Sequence, residues 1–317
     1  MIQIFKIRNF SDYFSDTISF FKASGKHFFR NYFIINGGFM MLLVAMIYFV
    51  VKFYVDALTA NAGVNNSADV NSFETFFEQN IAVFIIFIVI FIVLIIILSI
   101  LNFAFPILYL NLYQKNNGNN FDTKQIIIAL KNNFGRLLIF ALGTVFVYLP
   151  FFAIIIGVCV MLCFIIIGFP LLMVVLPALY SWISIAFYDY LTKKSSFFEA
   201  FSVGLQAVKT DFWAIIGGTF LMIIIVQVLQ TVVTLIPYFI GIAYYFFSAD
   251  HLAINQSKAL SFLSIIMTIV FMISTIAGYI ANNLLVVTQG MMYYSSREKL
   301  ENHTSDDLIN KIGTDFE

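Results

Sequence analysis

The feature that most constrains this chain is a set of apolar runs too long for the core of a water-soluble domain. The run at 81–101, IAVFIIFIVIFIVLIIILSIL, contains one serine and no charged residue. A helix of about 20 apolar residues crosses the hydrocarbon core of a bilayer. Membrane barrel strands instead alternate apolar and polar residues over about 10 positions. Because this run is apolar on all sides, the sequence predicts an all-α, polytopic helical membrane protein formed by 1–317 as a single integral membrane domain.

Hydropathy predicts six transmembrane helices, but it leaves one turn open. The predicted spans are 32–54, 81–112, 134–156, 159–187, 212–236 and 258–293. The stretch 134–187 has no charged residue after Arg136. One interpretation is two spans with a tight turn near Gly157. The alternative is three short spans that break at Pro150 and Pro170, because proline interrupts the helical hydrogen-bond ladder.

The basic residues favour two spans in 134–187. With six spans and an inner N-terminus, all of the 17 Lys and Arg residues except Lys52 and Lys258 fall on one side. Cytoplasmic loops are enriched in Lys and Arg, so both termini are predicted to be cytoplasmic. The tail 295–317 is then a cytoplasmic segment.

The same topology places the loops 55–80 and 237–257 outside. Pro237 is expected to end the fifth span. The aromatic sequence that follows it, YFIGIAYYFF, favours a short helix at the membrane surface. A re-entrant segment is the alternative, although its backbone would need burial within protein.

Three amphipathic segments precede the first, third and fifth spans. Each ends in a similar phrase: RNYF from Arg30, KNNF from Lys131 and KTDFW from Lys209. Their apolar stripes are Phe10, Phe14, Ile18 and Phe21; Ile126, Leu130 and Phe134; and Phe198, Phe201, Leu205, Val208 and Phe212. Ser196 and Glu199 form the S-x-x-E pattern of a capping box. The segments therefore predict interfacial amphipathic helices on the cytoplasmic side.

The span ends also recur. P-x-L-Y closes the second span at Pro106 and the fourth at Pro177. Together with the amphipathic segments, this favours parallel repeats of a surface helix and two spans. The repeat units are 10–113, 120–188 and 195–294. The alternative is that basic and aromatic residues simply mark the cytoplasmic boundaries of any polytopic protein.

The segment SSFFEAFSVGLQAVKTDFWAIIGG carries a family resemblance. Before the fifth span it has the order E-A, eight residues, K-x-x-F-W, at Glu199, Ala200, Lys209, Phe212 and Trp213. With the six spans and the ending QGMMYYSSREKLE, this resembles an uncharacterised bacterial six-span membrane family related to the membrane domain of glycerophosphodiester phosphodiesterases. The resemblance covers most of the chain and implies the fold. No segment here resembles the catalytic domain, so phosphodiesterase activity is not expected.

The sequence contains no recognised catalytic or nucleotide-binding motif. His27, His251 and His303 lie in separate segments and are expected to be solvated. Cys159 and Cys163 have no histidine or carboxylate nearby, which favours packing over a metal site. Deep within the spans there is no ionisable side chain, which disfavours ion-coupled transport and intramembrane catalysis. The net charge of zero gives no reason to expect nucleic acid. We therefore expect no enzyme activity and no cofactor.

The polar residues that remain within the spans are amides. They are Asn36, Asn102, Gln227, Gln230, Asn282, Asn283 and Gln289. They are predicted to join helices, with a polar path for a substrate as the alternative. Small residues at Gly37 and Gly38, at Gly217 and Gly218, and at Ser274 and Gly278 favour close helix packing.

These patterns lead to two functional hypotheses. The first is a non-enzymatic accessory or scaffold subunit that contacts membrane lipids and other membrane proteins. The second is a permease or lipid-handling protein with an amide-lined path. An intramembrane enzyme is a more distant third.

Overall fold

The computed structural model describes residues 2–61, 80–247 and 256–301, and these residues contain helices and turns but no strand. Six continuous helical stretches are long and apolar enough to cross a membrane: Phe10–Lys52, Ile81–Lys115, Phe134–Ile165, Gly168–Thr192, Phe212–Ala243 and Ile265–Glu301. The prediction of an all-α polytopic membrane protein with six spans is therefore confirmed. Backbone groups cannot bond to water within hydrocarbon, so the spans satisfy them internally as helices.

The elements follow the chain in a simple order. The α-helices are α1 (Phe10–Asn61), α2 (Ile81–Lys115), α3 (Thr123–Asn132), α4 (Phe134–Gly143), α5 (Leu149–Leu162), α6 (Gly168–Thr192), α7 (Phe197–Thr210), α8 (Phe212–Phe247) and α9 (Gln256–Glu301). A π-helical turn, Thr144–Tyr148, joins α4 to α5, and a 3-10 turn, Cys163–Ile165, follows α5.

The turn between the third and fourth spans is later than predicted. Gly157 lies inside α5, and the chain reverses at residues 163–167, where Ile166 has a φ of 68°. The Ile166 amide donates to the Cys163 carbonyl over 3.0 Å. A side chain on Gly168 would collide with the Cys159 carbonyl and the Cys163 amide, so the turn requires glycine there. The three-span alternative is wrong.

Two other predicted boundaries are wrong. Pro237 does not end the fifth span, because α8 continues through it to Phe247. Proline removes one hydrogen bond, but the backbone groups around it have no better partners in an apolar environment than the helix itself. The first predicted outer loop also begins too early, because α1 continues to Asn61. The residues from Pro237 to Phe247 belong to α8 and form no separate surface helix. Residues 62–79 and 248–255 lie outside the described residues, as do Ser67, His251, His303 and the tail beyond Glu301.

The three amphipathic segments do not behave alike. Asn133 and Asp211 leave the helical conformation, with φ/ψ of −101°/3° and −123°/43°, so α3 and α7 are separate helices. At the corresponding place in the first segment, Asn31 stays helical, and its side-chain amide donates to the His27 carbonyl over 2.7 Å. The predicted first surface helix is therefore not a separate element but part of α1.

The residues group into two compact units, which we describe separately. Unit 1 comprises 1–35, 102–226 and 282–317, and unit 2 comprises 36–101 and 227–281. Unit 1 contains a buried aromatic core between α1 and α2, in which Phe28 lies 5.0 Å from Phe105 and 4.8 Å from Tyr109 between ring centroids. The division into repeat units 10–113, 120–188 and 195–294 stays a prediction.

In unit 2, small residues and one amide hold α8 and α9 close together. Gln230 approaches the backbone and side-chain oxygens of Ser274, both at 3.4 Å. A side chain on Gly278 would meet the same amide at 3.2 Å. The expected close packing at Ser274 and Gly278 is thus seen. Gly37 and Gly38, in contrast, have open space around them.

Candidate functional site

The centre of unit 1 holds a cluster of hydroxyl and amide side chains from three helices, which we call the polar core. Ser181 of α6 and Thr219 of α8 share a hydrogen bond of 2.7 Å between their hydroxyl oxygens. Gln289 of α9 donates from Nε2 to Thr219 Oγ1, also over 2.7 Å. All three side chains are buried. Hydrocarbon offers these hydroxyl and amide groups no hydrogen-bond partner. They can therefore pair only where the helices meet.

A second hydroxyl pair joins α1 to α9. The hydroxyl oxygens of Thr17 and Thr288 lie 3.1 Å apart, and each also lies within hydrogen-bond distance of the backbone carbonyl one turn earlier. Because each hydroxyl has one proton, one threonine donates to the other, which donates to its own carbonyl. Gly218 of α8 allows α8 to approach α9 closely, because a side chain there would meet the Met292 methyl at 2.8 Å. Within the described residues of unit 1, α1, α6, α8 and α9 are therefore tied together by polar contacts.

The other predicted amides have different surroundings. Asn102 is buried and accepts from the Tyr32 hydroxyl over 2.8 Å, which joins α1 to α2. Asn36 and Asn283 are also buried, and Asn282 is half-buried. Gln227, predicted as an intramembrane polar contact, is exposed on α8. Hydropathy places an amide within a span, but it does not show which side of the helix faces a neighbour.

A charged cluster at the ends of α6 and α9 was not predicted. Asp189, only 1% exposed, accepts from Arg297 Nη1 over 3.1 Å, from Tyr293 over 3.2 Å and from the Ser195 hydroxyl. Arg297 also pairs with Glu301, four residues later. Asp189 lies beyond the predicted end of the fourth span, but α6 continues to Thr192 and buries it. A carboxylate and an arginine at the ends of two spans are a weak sequence signal.

A second unpredicted charge is Arg8, in the extended segment before α1. It is 1% exposed and pairs through Nε with Asp16 over 2.8 Å. Its remaining nitrogens donate to the carbonyls of Gln3, Ile4 and Lys6. Burial lowers the pKa of the Arg8 guanidinium, and the hydrogen bond to Asp16 opposes that shift. The Arg8 amide donates to Ser295 over 3.0 Å, so this segment is fixed to α9.

His27 is not simply solvated, contrary to expectation. Its Nδ1 lies 2.7 Å from the Tyr109 hydroxyl and its Nε2 lies 3.1 Å from the Phe121 carbonyl. The neighbouring Asn31 accepts from the Thr123 hydroxyl. These contacts join α1 to α2 and to the start of α3.

Helix α7 packs closely on α6. The Trp182 indole donates to the Phe201 carbonyl over 2.7 Å, and the Tyr148 ring stacks on Phe201. The predicted capping box at Ser196 and Glu199 is present. The predicted apolar stripe is rotated, since Phe198 is 67% exposed. The buried face is instead Ala200, Phe201, Gly204, Ala207 and Val208. Glu199, Gln206 and Lys209 lie on the exposed side of α7.

The described residues contain no group of His, Cys, Asp or Glu side chains that could hold a metal ion. Cys163 donates its thiol to the Cys159 carbonyl over 3.4 Å, at the end of α5. The polar core offers hydroxyl and amide groups that bind neutral polar atoms. The charged cluster holds its carboxylate in an ion pair between α6 and α9, so the loss of either partner would leave a buried charge with less compensation.

Comparison of the chain with protein-family models, with curated proteins and with solved structures finds no match. The resemblance to the membrane domain of glycerophosphodiester phosphodiesterases therefore stays a prediction, and the chain is described by its own geometry as an all-α, six-span integral membrane protein.

Proposed function

We propose that this protein is a non-enzymatic accessory or scaffold subunit of a bacterial cytoplasmic-membrane assembly, with both termini on the cytoplasmic side. The observation that carries the proposal is the use of the polar groups in unit 1. Its main polar side chains bond to other helices or to side chains of their own helix. They are Ser181, Thr219, Gln289, Asp189 and Arg297. Polar groups used in this way stabilise a fixed arrangement of helices, as a scaffold requires.

The exterior of the spans supports the same proposal. Phe146, Phe164 and Trp213 are 74%, 90% and 74% exposed. Large exposed apolar surface suits the contact of a membrane protein with lipid and with the spans of partner proteins. The distribution of Lys and Arg supports the cytoplasmic placement of the termini.

Gln289 also supports a second candidate, a permease or lipid-handling protein. Its Oε1 is a buried acceptor without a donor among the described residues. Such an atom costs free energy unless a ligand or water donates to it. In this candidate the polar core would contact a neutral, hydrogen-bonding substrate during its passage.

Site-specific photo-crosslinking in intact cells tests the scaffold role. A photoreactive phenylalanine analogue would replace Phe164 or Trp213, with the fully buried Phe105 as the control position. We expect adducts with one or a few defined membrane proteins from the exposed positions and none from Phe105. Adducts with lipid alone, together with a transported small molecule recovered from the purified protein, would favour the permease instead.

Single cysteines test the orientation independently. They would be placed at Ser67 and Ser305, outside the described residues, and treated with an impermeant thiol reagent in intact spheroplasts after Cys159 and Cys163 are replaced by serine. We expect labelling at 67 only. Labelling at 305 and not at 67 would reverse the proposed topology.

A further inference from the structure

One surface of unit 1 is strongly basic. Lys22, Lys26 and Arg30 are spaced four residues apart on α1, and all three are exposed. Residues at this spacing lie on one side of a helix. None of the three forms an ion pair with any residue that the structure describes. Their charge is therefore available to a partner.

Helix α3 extends this surface. Lys124 and Lys131 are exposed and, within the described part of the chain, also lack ion pairs. The His27 contact with the Phe121 carbonyl and the hydrogen bond from Thr123 to Asn31 hold the start of α3 against α1.

Three of the five basic groups are next to this junction in sequence. Lys26 is adjacent in sequence to His27, Arg30 to Asn31 and Lys124 to Thr123. The three charges therefore flank one contact between two helices. We call Lys22, Lys26, Arg30, Lys124 and Lys131 the basic face. Asp122 is an exposed acid beside it.

Apolar side chains lie among these charges. Ile127 and Ile128 are 48% and 56% exposed on α3, and Phe134 is 60% exposed directly after it. Opposite them, Ile126 and Leu130 are buried. A helix that is apolar on its outer as well as its inner side, with lysines at both ends, is typical of a membrane interface. A nucleic acid or an acidic soluble protein would contact the lysines but would leave Ile127, Ile128 and Phe134 in water.

We propose that the basic face binds the phosphate headgroups of anionic phospholipids, with Ile127, Ile128 and Phe134 inserted among the acyl chains. The lysines and the arginine supply charge to the phosphates, and the three apolar side chains supply hydrocarbon contact. This contact with lipid does not depend on which partner protein the scaffold binds. Anionic surfaces attract Lys and Arg additively, so the loss of several charges has a large effect on binding.

Retention of defined lipids by the purified full-length protein tests the proposal. The protein would be reconstituted into vesicles of equal phosphatidylglycerol and phosphatidylcholine, extracted into mild detergent, and analysed by mass spectrometry for bound lipid. We expect the wild type to retain phosphatidylglycerol at least about fivefold over phosphatidylcholine, and the enrichment to decrease in high salt. The double variant Lys124→Gln/Lys131→Gln and the triple variant Lys22→Gln/Lys26→Gln/Arg30→Gln should each lose most of it.

Lys52→Gln/Lys194→Gln is the charge-matched control for the double variant, because both lysines are exposed and lie outside the three amphipathic segments. It should keep the enrichment, and all variants should melt at the wild-type temperature, since the substituted side chains pair with no acid among the residues that the structure describes. Equal retention of the two lipids by the wild type would overturn the proposal. So would an equal loss in the control, or preferential retention of nucleic acid by the basic face.

Discussion

Gly204 is a position where α7 approaches the backbone of α6 closely, and replacing it with alanine has a calculable effect. A β-carbon at residue 204 would lie 2.7 Å from the Trp182 carbonyl oxygen and 3.0 Å from the Ala186 nitrogen. Both are backbone atoms of α6, so no side-chain rotation relieves the collision. The two helices would have to separate.

Three terms set the magnitude of the Gly204→Ala effect. Overpacking costs about 1–3 kcal/mol. Separation of the helices would also lengthen the 2.7 Å bond from the Trp182 indole to the Phe201 carbonyl, and such a bond contributes about 1 kcal/mol. Alanine favours the helix over glycine by about 1 kcal/mol. We therefore expect a net loss of about 2 kcal/mol in the free energy of unfolding.

Thermal unfolding in a mild detergent measures this change. Trp182 and Trp213 are the two tryptophans of the chain, so intrinsic fluorescence reports the α6–α7 contact. Gly157→Ala is the matched control, because Gly157 lies in the middle of α5 with open space around it. The control should melt at or above the wild-type temperature and Gly204→Ala several degrees below it. A Gly204→Ala protein that melts with the control would refute the close approach.

Three further changes follow from the polar contacts. Asp189→Asn should destabilise the protein by about 3 kcal/mol, because it leaves Arg297 buried with less compensation. Adding Arg297→Met should recover part of this loss, and a fully additive loss in thermal unfolding would contradict the ion pair. Gln289→Leu should cost under about 1 kcal/mol, the usual range for one interhelical hydrogen bond in a membrane; a larger loss of stability, or a loss of a bound small molecule, would indicate a ligand at Oε1. Ser196→Ala should cost about 1 kcal/mol through the lost cap and raise hydrogen exchange at the start of α7, whereas Glu199→Gln preserves the capping box and should leave exchange unchanged.

The elements that hydropathy and capping encode locally were predicted. Long apolar runs require helices in a membrane, so the six spans are confirmed. Ser196 and Glu199 specify the start of α7 within four residues, and the capping box is present. Asn102 was predicted to contact a neighbouring helix, and it bonds to Tyr32.

The features that depend on packing were not predicted. The turn at 163–167 has the same apolar composition as the helices around it, so hydropathy gives no signal for it. Asp189 and Arg297 are 108 positions apart in the chain, and only the meeting of α6 and α9 pairs them. On α7 the apolar periodicity alone does not decide the buried face. Gly204 permits the close approach of α6, and Phe201 is buried while the identical side chain of Phe198 remains exposed.

The apolar turn that ends α5 has a consequence for how the third and fourth spans adapt to bilayers of different thickness. Phe164, Ile166 and Ile167 are 90%, 76% and 60% exposed, and no charged side chain lies near them in sequence to hold them at a headgroup layer. At the opposite end, Arg136 donates to the carbonyls of Tyr190 and Ser195 over 2.6 and 2.7 Å. The hairpin is therefore anchored at one end only. In a thicker membrane the tip should sink below the opposite headgroups, with little cost from hydrophobic mismatch. A thiol at position 166 should accordingly react with a water-soluble reagent in short-chain lipid and become protected in long-chain lipid.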